Sequence, residues 1–175
     1  MKSIILIGYM CVGKTTIGKS LAQQIGCTFY DLDWYIEERF HKKIPDIFAE
    51  SGEDGFRRIE RRMLHEVAEF EDIVLSCGGG TPCFFDNMEY MNSRSETVYL
   101  KADAEVIYSH LLQSKTERPL LSGKSDTELV SFIQKQLAER EPFYGQAKYT
   151  QTISLLDDFN KIKYIVEQLK ELLHI

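Results

Sequence analysis

Residues 8–15 read Gly8-Tyr9-Met10-Cys11-Val12-Gly13-Lys14-Thr15, which fits G-x-x-x-x-G-K-[ST]. The stretch follows the apolar run Ile4–Ile7 and opens a helical pattern, Lys14–Ile25, in which Ile17, Leu21 and Ile25 share a face and Gly26 marks a stop. Strand, glycine loop and helix in that order are the context in which this pattern cradles phosphates. Gly8 and Gly13 permit a turn that aims successive backbone N–H groups at a polyphosphate. The helix beginning at Lys14 adds the positive end of its dipole. Lys14 supplies a point charge for the β- and γ-phosphates, and the Thr15 hydroxyl a ligand for Mg²⁺. These residues point to a nucleoside triphosphate bound with Mg²⁺; what is done with it must be read elsewhere in the chain.

Outward from this loop, β-rich runs alternate with longer helical patterns. Strands are expected at 4–7, 28–32, 73–77, 97–100 and, more weakly, 152–155, and helices at 14–25, 34–40, 53–70, 103–112, 126–140 and 161–173. That alternation predicts a parallel sheet covered on both faces, a doubly wound α/β fold of five strands. The 175 residues suit a single domain. Two stretches read as additions to the sheet: the helical segment after the second strand and the polar stretch 113–125.

Composition narrows the function. With 43% hydrophobic and 27% charged residues, the chain is neither a disordered tail, a collagen nor a membrane bundle. A net charge of −6 makes nucleic acid and anionic membrane poor general partners. The run Ile4–Ile7 is too short for a spanning helix or a signal segment. Cys11, Cys27, Cys77 and Cys83 form no CxxC pair, so reduced thiols and a cytoplasmic location are expected.

Ligands of open α/β sheets collect beyond the carboxyl ends of the strands. There the sequence places the phosphate loop, Asp31-Leu32-Asp33 and Cys77-Gly78-Gly79-Gly80. Alternation along the second strand puts Asp31 and Asp33 on one side. One carboxylate can order the water shell of Mg²⁺ and the other accept a proton from an attacking hydroxyl; Asp33 also reads as a helix N-cap before Trp34-Tyr35-Ile36. Three consecutive glycines suit a ligand lying against main chain. Arg57 and Glu60 have i,i+3 spacing, and Arg57 held by Glu60 would make a fork for a carboxylate or diol. By itself that pair reads as a surface ion pair worth under about 1 kcal/mol. Arg118, followed by Pro119-Leu120-Leu121, suits a segment closing over phosphate, and Arg140 precedes Pro142 and Tyr144.

From Ile4 to about Tyr149, this ordered set resembles the shikimate kinases. Its anchors are the phosphate loop, Asp31-Leu32-Asp33, Gly55-Phe56-Arg57 with Glu60, Gly78-Gly79-Gly80, Arg118-Pro119-Leu120-Leu121, and Glu139-Arg140 with Pro142 and Tyr144. The resemblance implies a P-loop NTPase fold of the nucleoside-monophosphate-kinase-like kind, with a substrate-binding subdomain at 34–60 and a lid at 113–125. It implies transfer of the γ-phosphoryl group of ATP to the 3-hydroxyl of shikimate in aromatic amino-acid biosynthesis. By position, Cys11, Val12, Gly13, Lys14, Thr15, Thr16 and Arg118 would bind ATP. Asp33, Arg57, Gly79, Gly80 and Arg140 would bind shikimate. Lys14, Asp33 and Arg118 would be catalytic, and Thr15, with Asp31 through water, would hold Mg²⁺. Phe48 and Phe56 fall where the family lines the apolar side of the ring. A cytoplasmic monomer is expected, with ATP and shikimate as small-molecule partners.

Three positions depart from the family: Cys11-Val12 stand where Gly-Ala is usual, Leu111 where many members carry an arginine against adenine, and Cys77 where threonine is common. Two other readings fit the residues less fully. One is a kinase for another small polyol acid such as gluconate. The other is a nucleotide-binding regulatory module without catalysis.

Overall fold

The computed structural model describes residues 3–114 and 125–175. The expected lid, with Arg118, therefore lies almost entirely outside the described residues. Five parallel strands form one sheet in the order β2-β3-β1-β4-β5, with β1 Ile4–Ile7, β2 Thr28–Asp31, β3 Ile73–Ser76, β4 Glu96–Lys101 and β5 Tyr149–Thr152. Every residue of β1 and β3 is buried, as central strands covered on both faces require. Helices α1 Lys14–Ile25, α2 Leu32–Phe40, α3 Ile44–Val67, α4 Asn87–Arg94, α5 Ala104–Gln113, α6 Asp126–Tyr144 and α7 Phe159–Leu173 cover the sheet.

The differences from the expected elements have physical causes. Strand β2 stops at Asp31, whose side chain caps α2 by accepting the N–H groups of Asp33 and Trp34. The cap is thus Asp31 and not Asp33, and Asp33 lies in the first helical turn. The last strand is Tyr149–Thr152, upstream of the expected 152–155. Its sequence is polar because it lies at the sheet edge, half of it exposed, and the apolar Ile153 sits just beyond it, buried and bonded to Lys101. Helix α3 begins at Ile44, with Pro45 in its first turn, and breaks at Gly52 (φ 67°), which hid the first half from a periodicity count. Helix α6 runs past Pro142 to Tyr144, a side chain fully buried in the core. Helix α4 and a short 3₁₀ turn at Thr81–Cys83 were not expected, since their residues carry no long apolar stripe.

Candidate active site

The carboxyl ends of β1, β2 and β3 open onto a cavity of about 780 Å³. Its walls include Lys14, Thr15 and Thr16 from the loop and α1, Asp31 and Asp33 around the start of α2, and Gly78 and Gly79 after β3. The loop is shaped by glycine: Gly13 has φ +113°, and a β-carbon there would meet Leu156 Cδ1 at 2.6 Å. Cys11 holds φ +62° without being glycine. Val12 turns its side chain wholly into the core, and its N–H donates to the Tyr9 carbonyl at 3.3 Å, so only main chain at this position faces the loop.

Lys14 is buried, and its ammonium donates to the carbonyls of Gly8 and Tyr9, each at 2.8 Å. Burial lowers its pKa to about 8, against the pull of Asp33. Asp33 is displaced the other way: burial first, then repulsion from Asp31 and Glu60, raises its pKa to about 6. Its carboxylate lies against Gly78, where a β-carbon would stand 3.4 Å from Oδ1. The other carboxylate, Asp31, accepts the Thr15 hydroxyl on Oδ2 at 3.1 Å. Oxygen donors from one hydroxyl and one carboxylate fit a hard cation that keeps most of its waters and takes phosphate oxygens. Among the described residues no group of three or more His, Cys, Asp or Glu could hold a metal ion.

Arg57 and Arg140 flank the cavity at the glycine triplet. A β-carbon on Gly80 would meet Arg57 Nη2 at 2.6 Å, and one on Gly79 would meet Arg140 Nη1 at 3.2 Å. The bare backbone is therefore what lets two guanidinium groups stand against consecutive residues. The Arg57–Glu60 pair is not a surface ion pair. Glu60 is 1% exposed, holds Arg57 Nη1 at 3.0 Å with Oε1, and accepts the Thr81 hydroxyl at 2.8 Å with Oε2. Burial pushes the Glu60 pKa up while Arg57 and Thr81 pull it down. The Arg57 guanidinium also lies 4.1 Å over the Phe84 ring, and Phe56 stacks on Phe48 at 4.4 Å.

Several contributors were given no role from the sequence. Tyr144 donates its hydroxyl to the Gly79 carbonyl at 2.6 Å and receives Arg140 Nη1 at 3.5 Å. Tyr9, inside the loop motif, lies under Arg140 with the guanidinium 5.3 Å from its ring, and its hydroxyl bonds Gln136. Thr81, His110 and Leu156 also escaped, because each acts through a partner far away in the chain.

A triphosphate cradle at the end of a central parallel strand, facing a half-buried carboxylate whose pKa is raised to about 6, defines a P-loop enzyme that transfers phosphoryl groups to a small hydroxylated acceptor. The comparisons name the family. The family model for shikimate kinase matches residues 10–173. The shikimate kinase of Phocaeicola vulgatus is 53% identical over 99% of both chains. The crystal structure of shikimate kinase from Bacteroides thetaiotaomicron superposes with a TM-score of 0.96 at 51% identity, covering 99% of both chains. The Acinetobacter baumannii enzyme, solved in complex with shikimate, gives 0.82 at 32% identity, over 99% of this chain and 94% of that one.

The chain belongs to the shikimate kinase family. It is an ATP-dependent kinase, and its reaction is transfer of the γ-phosphoryl group of ATP to the 3-hydroxyl of shikimate. Among the described residues no helix is long and apolar enough to cross a membrane.

Proposed function

We propose that the two walls of the crevice divide the reaction between them. Cys11, Gly13, Lys14, Thr15 and Thr16, with the main chain of Val12, take the triphosphate. Thr15 and, through water, Asp31 hold Mg²⁺, which supplies charge neutralisation on the phosphates when bound. Arg57 and Arg140 hold the shikimate carboxylate, while Gly79 and Gly80 meet the ring hydroxyls through backbone. Asp33 orients the 3-hydroxyl and accepts its proton. Arg118, from a lid at 113–125, completes the neutralisation of the transferring group, and residues 34–60 act as the substrate-binding subdomain within a single domain spanning 1–175.

The observation that carries this reading is Asp33. Its carboxyl titrates near 6, beside the glycine triplet and within the field of Lys14, so at neutral pH it is ionised yet basic enough to take a proton. Little covalent work falls to the protein in phosphoryl transfer, so placing the hydroxyl in line and neutralising charge carry the rate. The four cysteines are free, which favours a reducing compartment such as the cytoplasm. No feature of the net acidic chain calls for nucleic acid.

Arg57→Ala tests the carboxylate site. KM for shikimate should rise at least about tenfold with kcat changed far less, because the contact is shared by ground and transition states. An unchanged KM would remove Arg57 from substrate binding.

A further inference from the structure

His110 lies in the last turn of α5, at the edge of the nucleotide wall, and joins two segments far apart in sequence. Its Nδ1 is 2.8 Å from the Cys11 carbonyl, and its Nε2 receives the Leu156 N–H at 2.9 Å. A carbonyl only accepts and a backbone N–H only donates. The two contacts therefore require a neutral ring with its proton on Nδ1. Cys11 is the non-glycine residue of the phosphate loop with a left-handed backbone, and Leu156 packs onto Gly13. In a trans peptide the C=O and the following N–H point opposite ways, so holding the Cys11 carbonyl outward holds the Val12 N–H on the Tyr9 carbonyl and closes the turn of the loop.

We propose that His110 is a positioning residue for the nucleotide, a neutral clip that fastens the phosphate loop to Leu156 and so sets the affinity for ATP. The role rests on the loop binding the triphosphate.

The test is KM for ATP and for shikimate in the wild type, His110→Phe and His110→Gln. Loss of both bonds in His110→Phe should raise KM for ATP about tenfold, with KM for shikimate within about twofold. Glutamine offers one donor and one acceptor. His110→Gln should therefore stay within about threefold of wild type in KM for ATP. A KM for ATP in His110→Phe within about twofold of wild type, or an equal rise in both KM values, would overturn the role. If His110→Phe does not fold, His110→Ala carries the same expectation and the same overturning results. Failure of the loop to bind ATP would look different, since the wild type itself would not saturate with ATP.

Discussion

The two walls of the crevice are built by different means. On the proposed reading, the nucleotide wall is one continuous stretch: eight residues, 8–15, supply a turn, a row of amides, a cation and a hydroxyl. The proposed shikimate wall is assembled from side chains on four separate pieces of chain: Asp33 on α2, Arg57 and Glu60 on α3, Thr81 on the 3₁₀ turn, and Arg140 and Tyr144 on α6. Backbone would then present the phosphate, and a network of charges around the buried Glu60 the acceptor. A network that spans elements ties substrate binding to the stability of the fold.

Mutations should separate the walls, and the largest effect belongs to the loop. Lys14→Ala should lower kcat about 10³-fold while leaving the melting temperature nearly unchanged or higher, since a buried ammonium is removed. A loss confined to KM for shikimate would erase the division between walls. Asp33→Asn comes next, with a fall in kcat of about 10²-fold. Its stability effect has the opposite sign. The folded pKa near 6 lies above the ordinary 3.8, so the ionised carboxylate opposes folding above pH 6, and this penalty fades as pH drops through 6 toward 3.8. The variant should therefore gain about 2 kcal/mol at pH 7.5, or about 5 °C in Tm, and progressively less at lower pH. Thermal melts at pH 7.5 and at about pH 5 check the sign; a gain that grows on acidification would contradict it. In the wild type, kcat should decline as pH falls below about 6. The smallest change in rate is expected for Glu60→Gln. It leaves Arg57 without its buried counter-charge, so KM for shikimate should rise about fivefold, with KM for ATP unaffected. A stable variant with normal KM would make the network dispensable.

The same contrast decides what was legible in the sequence. The phosphate loop, its strand and its helix announce themselves because the contacts are local, and the buried central strands do so because their apolar runs are unbroken. Strand β5 was displaced because an edge strand such as Tyr149–Thr152 has no need of apolar residues on both faces. The first half of α3 was hidden by Gly52, where the backbone leaves the helix while the chain continues in nearly the same element. Spacing alone suggested that Arg57 and Glu60 were a weak surface pair, because spacing carries no information on burial. Tyr144 fell among the residues of the resemblance without a role, since its partner, the Gly79 carbonyl, is 65 positions away. His110 carried no sign at all: a lone histidine on a helix acquires meaning only from what the fold brings to its two nitrogens.

The most direct measurement compares shikimate with gluconate as acceptor in an ATP-coupled assay, with the product identified by mass and the phosphorylated position by NMR. Shikimate 3-phosphate should form in one-to-one ratio with ADP, with kcat/KM for shikimate at least about 10³-fold above that for gluconate, a ratio that two guanidinium contacts and a shaped glycine wall can supply. Equal turnover of the two acids, or ADP release without a phosphorylated acid, would contradict a crevice built for shikimate.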